Sequence, residues 1–303
     1  MFKESTVRSS KDCAKKNSCS RTSSDGSFFT LSNNCIAAGD ALTIDDINLA
    51  KHYRRLATFA IRELRRPDLE PQVVQRNAAP RMEHYAQLLL SELHEFMSFE
   101  GKLVLDVGGA DGTFCKVLAE NSETEAINFD HSINLQHLRW PQSIRGTADK
   151  LPFADNAFDL VVCTSVLEHV PTENQQNSLN EIFRVTKKGG LSYIAIPPWY
   201  NPFAGHVFRP FHVFPFEMAR TLTLFYFKKP PPDVLAARSY AELGLFPITF
   251  RQISRMIARS GFRVVTTKDI HFRLHSLTRI PIVREVAVPS VGIIVKKPEK
   301  RAS

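Results

Sequence analysis

Leu103-Val-Leu-Asp-Val-Gly-Gly-Ala-Asp-Gly-Thr-Phe114 decides the fold. An apolar run breaks at Gly108-Gly109, and apolar residues return at Phe114, Val117 and Leu118 with helical spacing. The pattern predicts a buried strand, a tight turn and a helix N-terminus. Gly108 and Gly109 permit φ > 0 and a close approach of ligand to bare backbone. The first N–H groups of the helix add a site for a carboxylate. A dinucleotide-binding turn needs G-x-G-x-x-G; here the spacing is Gly108-x-Ala110-x-Gly112, with Thr113 at the last glycine's place. Asp106, inside the strand end, suits a ligand that bears an ammonium group.

Outward from that turn, strands alternate with helices, which predicts a mostly parallel sheet covered on both faces. Strands are expected at 103–108, 125–130, 144–148, 158–164, 190–197, 262–268 and 289–296, and helices at 112–120, 132–139, 173–186 and 249–260. Residues 1–40, rich in Ser, Lys, Asn and Thr, form an expected disordered tail. An N-terminal helical segment follows over 41–100, with a capping box at Thr43 to Asp46 and a second helix near Pro80 to Phe96. The main domain then spans 101–298.

The chain of 303 residues is 43% apolar and carries a net charge of +8. Residues 1–24 supply +4 of it and residues 296–303 another +3, so about +1 is left for everything between. Basicity confined to tails argues against a nucleic-acid-binding surface. One helix, near residues 51–66, carries a basic face that is either solvated or laid on an anionic surface. Five cysteines without metal-ligand spacing fit a reducing compartment. With no membrane-length apolar run and no signal-peptide core, a cytoplasmic protein is expected, and peripheral membrane contact stays compatible.

Four further segments add specificity. The second strand ends at Phe129-Asp130, 18 residues beyond Gly112, where a carboxylate can accept both hydroxyls of a ribose. Then come Gly146-Thr-Ala-Asp-Lys-Leu-Pro-Phe153, Asn156-Ala-Phe-Asp-Leu-Val-Val-Cys-Thr-Ser-Val-Leu-Glu-His-Val170 and Phe183-Arg-Val-Thr-Lys-Lys-Gly-Gly190. In this order and spacing, over roughly residues 100–200, the chain resembles the class I S-adenosylmethionine (SAM)-dependent methyltransferases of the type 11 family. The resemblance implies a Rossmann-like, seven-stranded, mostly parallel sheet with SAM as cofactor. Gly108, Gly109, Ala110 and Gly112 would wrap the methionine part, with Asp106 near its amino group. Asp130 would hold the ribose and His131 would lie against the adenine. Thr147 stands where the family usually has an Asp for the adenine amine. A hydroxyl still accepts that hydrogen bond, and recognition would be shared with Asp149 and the Ala148 N–H. Cys163 would border the methyl group. Ala110 replaces the family's middle glycine.

Methyl transfer asks little of side chains, because the sulfonium is already activated and positioning supplies much of the acceleration. A base is needed only where the acceptor must lose a proton. His169 is one candidate. The Glu168-His169 pair could act as base or as metal ligands, as in some quinone-ring O-methyltransferases, but a structural or cofactor-side role is favoured and no metal is expected. Trp199 to Phe227 holds ten aromatics within an insert over 199–248, after the fifth strand. The insert is either an apolar lid over the acceptor or a subsidiary core, and both readings stand. His206 and His212 within it are further candidates for the base. The implied activity is methyl transfer to a small-molecule or lipid-like acceptor through oxygen or carbon. RNA or protein methylation, and SAM binding without catalysis, are the alternatives.

Overall fold

The computed structural model describes residues 71–133, 137–202, 204, 208–226, 236–268 and 280–299. All of them lie in one compact unit, Arg55–Ser303. The tail, the capping box at Thr43 and the basic helix at 51–66 fall outside the described residues.

A seven-stranded sheet organises the chain, in the order β3-β2-β1-β4-β5-β7-β6. Its strands are β1 (Leu103–Val107), β2 (Glu125–Asp130), β3 (Ser143–Arg145), β4 (Phe158–Thr164), β5 (Thr186–Ile196), β6 (Arg263–Lys268) and β7 (Val291–Lys296). The first five are parallel; β7 runs antiparallel to both β5 and β6. The strand order reverses between β1 and β4, and open α/β sheets bind ligands at the carboxyl ends beside such a switch point.

Helices cover both faces because the central strands are apolar on both sides. Val104, Leu160 and Val162 pack with α1 (Pro71–Leu93) and α2 (Thr113–Asn121), while Leu105, Val161 and Cys163 face α3 (Thr172–Val185) and α5 (Phe250–Ser260). Between these last two lies α4 (Phe216–Tyr226), and α6 (Pro281–Val286) precedes β7. The ends are fixed by local chemistry. Thr249 and Gln252 form a reciprocal capping box at α5, and Gly261 closes that helix at φ 94°. Lys297 donates to the Phe183, Arg184 and Thr186 carbonyls, satisfying the C-terminal oxygens of α3.

Three expectations need correction. The strand expected at 144–148 shortens to Ser143–Arg145. The helix expected over 132–139 does not form at its described positions, 132–133 and 137–139. There the Arg139 N–H donates to the Asp111 carbonyl and the Trp140 indole to the Ala126 carbonyl. These long-range bonds hold the chain against the sheet and outweigh helical propensity. The strand expected at 190–197 starts at Thr186 instead, directly after α3.

Candidate active site

A cleft of about 340 Å³ opens at the carboxyl ends of β1 and β2. Gly108, Asp130, His131, Thr147, Ala148, Asp149 and His169 all line it, so one concavity gathers half of the residues singled out in the sequence, while Asp106, Gly109 and Ala110 are not part of its lining. Val166 and Asn174 line it too, and only the fold reveals them.

The β1–α2 turn needs its glycines for different reasons. Gly108 has φ 79°, and its N–H donates to the Phe129 carbonyl at 2.6 Å. A Cβ there would stand 2.1 Å from Val166 Cγ2. At Gly109 a Cβ would stand 2.2 Å from Asp106 Oδ2 and 2.3 Å from Asn128 Oδ1. Gly112, φ 82°, caps α2 and backs onto Trp140, away from the cleft lining. Ala110 sits at φ 49°, which keeps the left-handed backbone of a glycine at some cost in strain.

Asp106 and Asn128 are register partners on β1 and β2, and both are buried. Asn128 Nδ2 donates to Ala110 O (3.2 Å) and Ser143 Oγ (3.0 Å), while its Oδ1 is buried without a donor. Burial first, then the neighbouring carboxylates of Asp130 and Asp111, push the Asp106 carboxyl up to about 7. Among the described residues no cationic side chain contributes to its surroundings, and Asp106 Oδ2 and Asn128 Oδ1 crowd the face of Gly109.

Asp130 is more engaged than its sequence position implies. Its Oδ1 accepts from the Ser132 N–H (2.7 Å) and hydroxyl (2.8 Å), and Oδ2 accepts from the Ala110 N–H at 3.0 Å. A carboxylate offers about four acceptor sites. Three are taken, so Asp130 has room for one ribose hydroxyl, not two. His131 is exposed, with Nδ1 3.5 Å from Asp130 Oδ1.

The base candidates separate. The His169 ring lines the cleft, and its Nδ1 stands 2.8 Å from the Gly244 carbonyl, so that nitrogen carries the proton. His206 lies outside the described residues. His212 is fully buried within the insert, Nε2 2.8 Å from the Trp199 carbonyl and edge-on to the Trp199 ring. Burial holds its pKa below the usual range. It therefore works as a packing group and lies away from the cleft. Cys163, expected beside the methyl group, is likewise fully buried in the core under β4 and does not line the cleft.

Residues 105–194 match the family described as a methyltransferase domain, type 11, across β1 to β5. Over that stretch the chain is similar to SAM-dependent methyltransferases. The chain is 28% identical to an uncharacterised methyltransferase of Mycobacteroides abscessus over 214 residues, spanning 67% of this chain and 79% of that one. An uncharacterised methyltransferase of Mycobacterium leprae is 29% identical over 204 residues, 65% and 72% of the two chains. Among solved structures, a methyltransferase in complex with the Haloferax volcanii Trm112 activator shares 16% identity over 73% of this chain and 94% of its own, with a TM-score of 0.48.

The donor fits the residues present. Asp106 and the orphaned Asn128 Oδ1 would take an ammonium group, and the lack of a side chain at Gly109 leaves both oxygens uncovered. Thr147, Ala148 and Asp149 would meet the adenine.

Proposed function

We propose that the protein transfers a methyl group from SAM to a small-molecule or lipid-like acceptor through oxygen or carbon. When bound, SAM supplies a methyl group already activated on a sulfonium. Asp106 and the Gly108–Gly109 turn hold the amino-acid end, and Asp130 with Thr147 to Asp149 holds the adenosine. The observation that carries the reading is the acidic cleft at the β1/β4 switch point, with an aromatic insert following β5. The insert also supports an apolar acceptor: on α4, Met218, Phe225 and Tyr226 are exposed, Phe225 by 91%. Among the described residues no helix is long and apolar enough to cross a membrane. Incubation with methyl-labelled SAM and host extract tests the reading. Label in lipid or metabolite fractions is expected; label in macromolecules would favour RNA or protein, and none at all a binding protein.

Cofactor affinity should depend on pH. In the free protein Asp106 holds a proton up to about pH 7. An ammonium group prefers the carboxylate, so binding below that pH must expel the proton. The dissociation constant should rise about tenfold per unit as pH falls from 7, and stay level just above it. Asp106→Asn should weaken binding and flatten the profile. Calorimetry showing the same slope in the variant would rule Asp106 out.

Asp130→Ala should act twice. Loss of the turn's anchor strands the Ala110 N–H and costs about 1–3 kcal/mol of stability. Loss of one ribose hydrogen bond to a charged acceptor weakens SAM by another factor of about ten or more. Chemical denaturation and calorimetry read the two losses separately, and unchanged affinity in the folded variant would remove Asp130 from the site.

A further inference from the structure

Two helices of this molecule turn their larger apolar side chains outward. α4 buries only Ala219 and Thr223, one small side chain and one polar. Its other face carries Met218, Thr221, Leu222 and Phe225 at i, i+3, i+4 and i+7, the spacing of a single stripe. Met218 is half exposed, and Phe225, at 91%, is the most exposed large apolar side chain among the described residues. α6 repeats the inversion, because its polar residues hold it in place. Glu285 accepts from the Phe250 and Arg251 N–H groups at 2.9 Å each, and the Arg284 guanidinium lies 3.9 Å from the centre of the Phe250 ring. None of the α6 residues is buried, and Ile282 is 78% exposed.

Both segments leave one end of the sheet. The insert that holds α4 begins directly after β5, and β7, which follows α6, pairs its first residue Val291 with Ile196, the last of β5. Asn201 ties the two segments, donating from Nδ2 to the Val286 carbonyl at 3.0 Å. That end is the carboxyl end of the parallel strands, where the cleft opens.

Exposed apolar surface of this kind marks a place that something covers, and charge and size say what. Residues 199–229 carry Arg209, Arg220, Lys228 and Lys229 against Glu217, a net +3. The chain between the two basic tails totals about +1, so the rest of that stretch is acidic and its positive charge gathers in the segment with the stripe. Size argues against a second protein chain. The outward face of an 11-residue helix is about 16 Å long and on the order of 200 Å². A stable protein interface takes about 800 Å² from each partner, which α6 does not make up. A bilayer sets no such threshold, since each side chain that enters contributes by its own area.

We propose that α4 and α6 form a docking surface for an anionic lipid bilayer. Met218, Phe225 and Ile282 enter the boundary between headgroups and acyl chains, and the basic residues of 199–229 meet the lipid phosphates. Docking turns the cleft's end of the sheet toward the membrane, and it does not depend on the methyltransferase reading.

Vesicle flotation of the full chain tests the proposal. SAM is left out, so a failure here and a failure of the methyltransferase reading are told apart. The wild type should float with vesicles of phosphatidylcholine and phosphatidylglycerol in equal parts, and much less with phosphatidylcholine alone. Phe225→Ser should weaken that binding about fivefold to tenfold, and adding Ile282→Ser should weaken it further. Both side chains are mostly exposed, so the melting temperature should stay at the wild-type value. Phe225→Trp should keep the affinity and add an indole emission that shifts to the blue only with vesicles present. Replacing Lys228 and Lys229 by Gln should reduce binding to the mixed vesicles alone. The basic tails are present in every variant, so differences among variants report the docking face. Wild-type binding by Phe225→Ser overturns the proposal, as does a wild type that stays in the soluble fraction. A dimer in sedimentation equilibrium that Phe225→Ser dissociates would give the face to a second copy and overturns it too.

Discussion

Gly108→Val should cost about 2–6 kcal/mol of stability and leave no measurable SAM affinity in whatever folds. Two penalties combine. A β-branched residue at φ 79° sits in a region open essentially to glycine, at about 1–3 kcal/mol. Its Cβ would also meet Val166 Cγ2 at 2.1 Å, and relieving that clash in a packed turn costs about 1–3 kcal/mol more. Val166 lines the cleft, so any relief moves the wall that the cofactor would touch. Gly101 supplies the control: it has φ 65° but nothing within 4 Å of its absent Cβ. Gly101→Val should therefore show the backbone penalty alone. If denaturant unfolding gives equal losses for the two variants, the close approach at Gly108 is unimportant and the turn tolerates a side chain.

That turn was legible in the sequence because its determinants are contiguous. β2 and β4 fall at the expected boundaries, since each is a short, mainly apolar segment ended by a polar residue. What could not be read are features made by pairing. Asn128 sits opposite Asp106 only through the β1–β2 register, and nothing around it in sequence marks it. The fate of 132–139 depends on Asp111 and Ala126, both remote in the chain. Glu168 was visible as one of a Glu-His pair, but its burial is a property of packing. His212 could not be placed from the sequence for the same reason: it is buried within the insert and is not part of the cleft lining.

Phe208→Ala should unfold the insert before it affects the cleft. Of the two readings of the aromatic stretch, the geometry around Phe208 fits the subsidiary core. Phe208 is fully buried, edge-on to Phe216 (5.6 Å) and Tyr240 (5.3 Å), and packed with Ala219 and Leu245. Tyr240 in turn meets Trp199 and donates its hydroxyl to the Phe214 carbonyl. These rings are one another's partners, so truncating the central one leaves a cavity that several aromatic edges cannot close. Phe→Ala in such a site costs about 3–5 kcal/mol. Phe208, Ala219 and Leu245 form a core cluster of their own, so the loss should appear as local opening within the insert. Hydrogen exchange should quicken there while β1, β2 and β4 keep their protection, and SAM affinity should change by less than about threefold. Turnover should fall as far as acceptor binding depends on an ordered insert. An acceptor-contacting lid residue would behave differently: turnover would drop with exchange unchanged throughout the insert. That outcome would return Phe208 to the acceptor's surface and make the exposed face of α4 the outer side of a true lid.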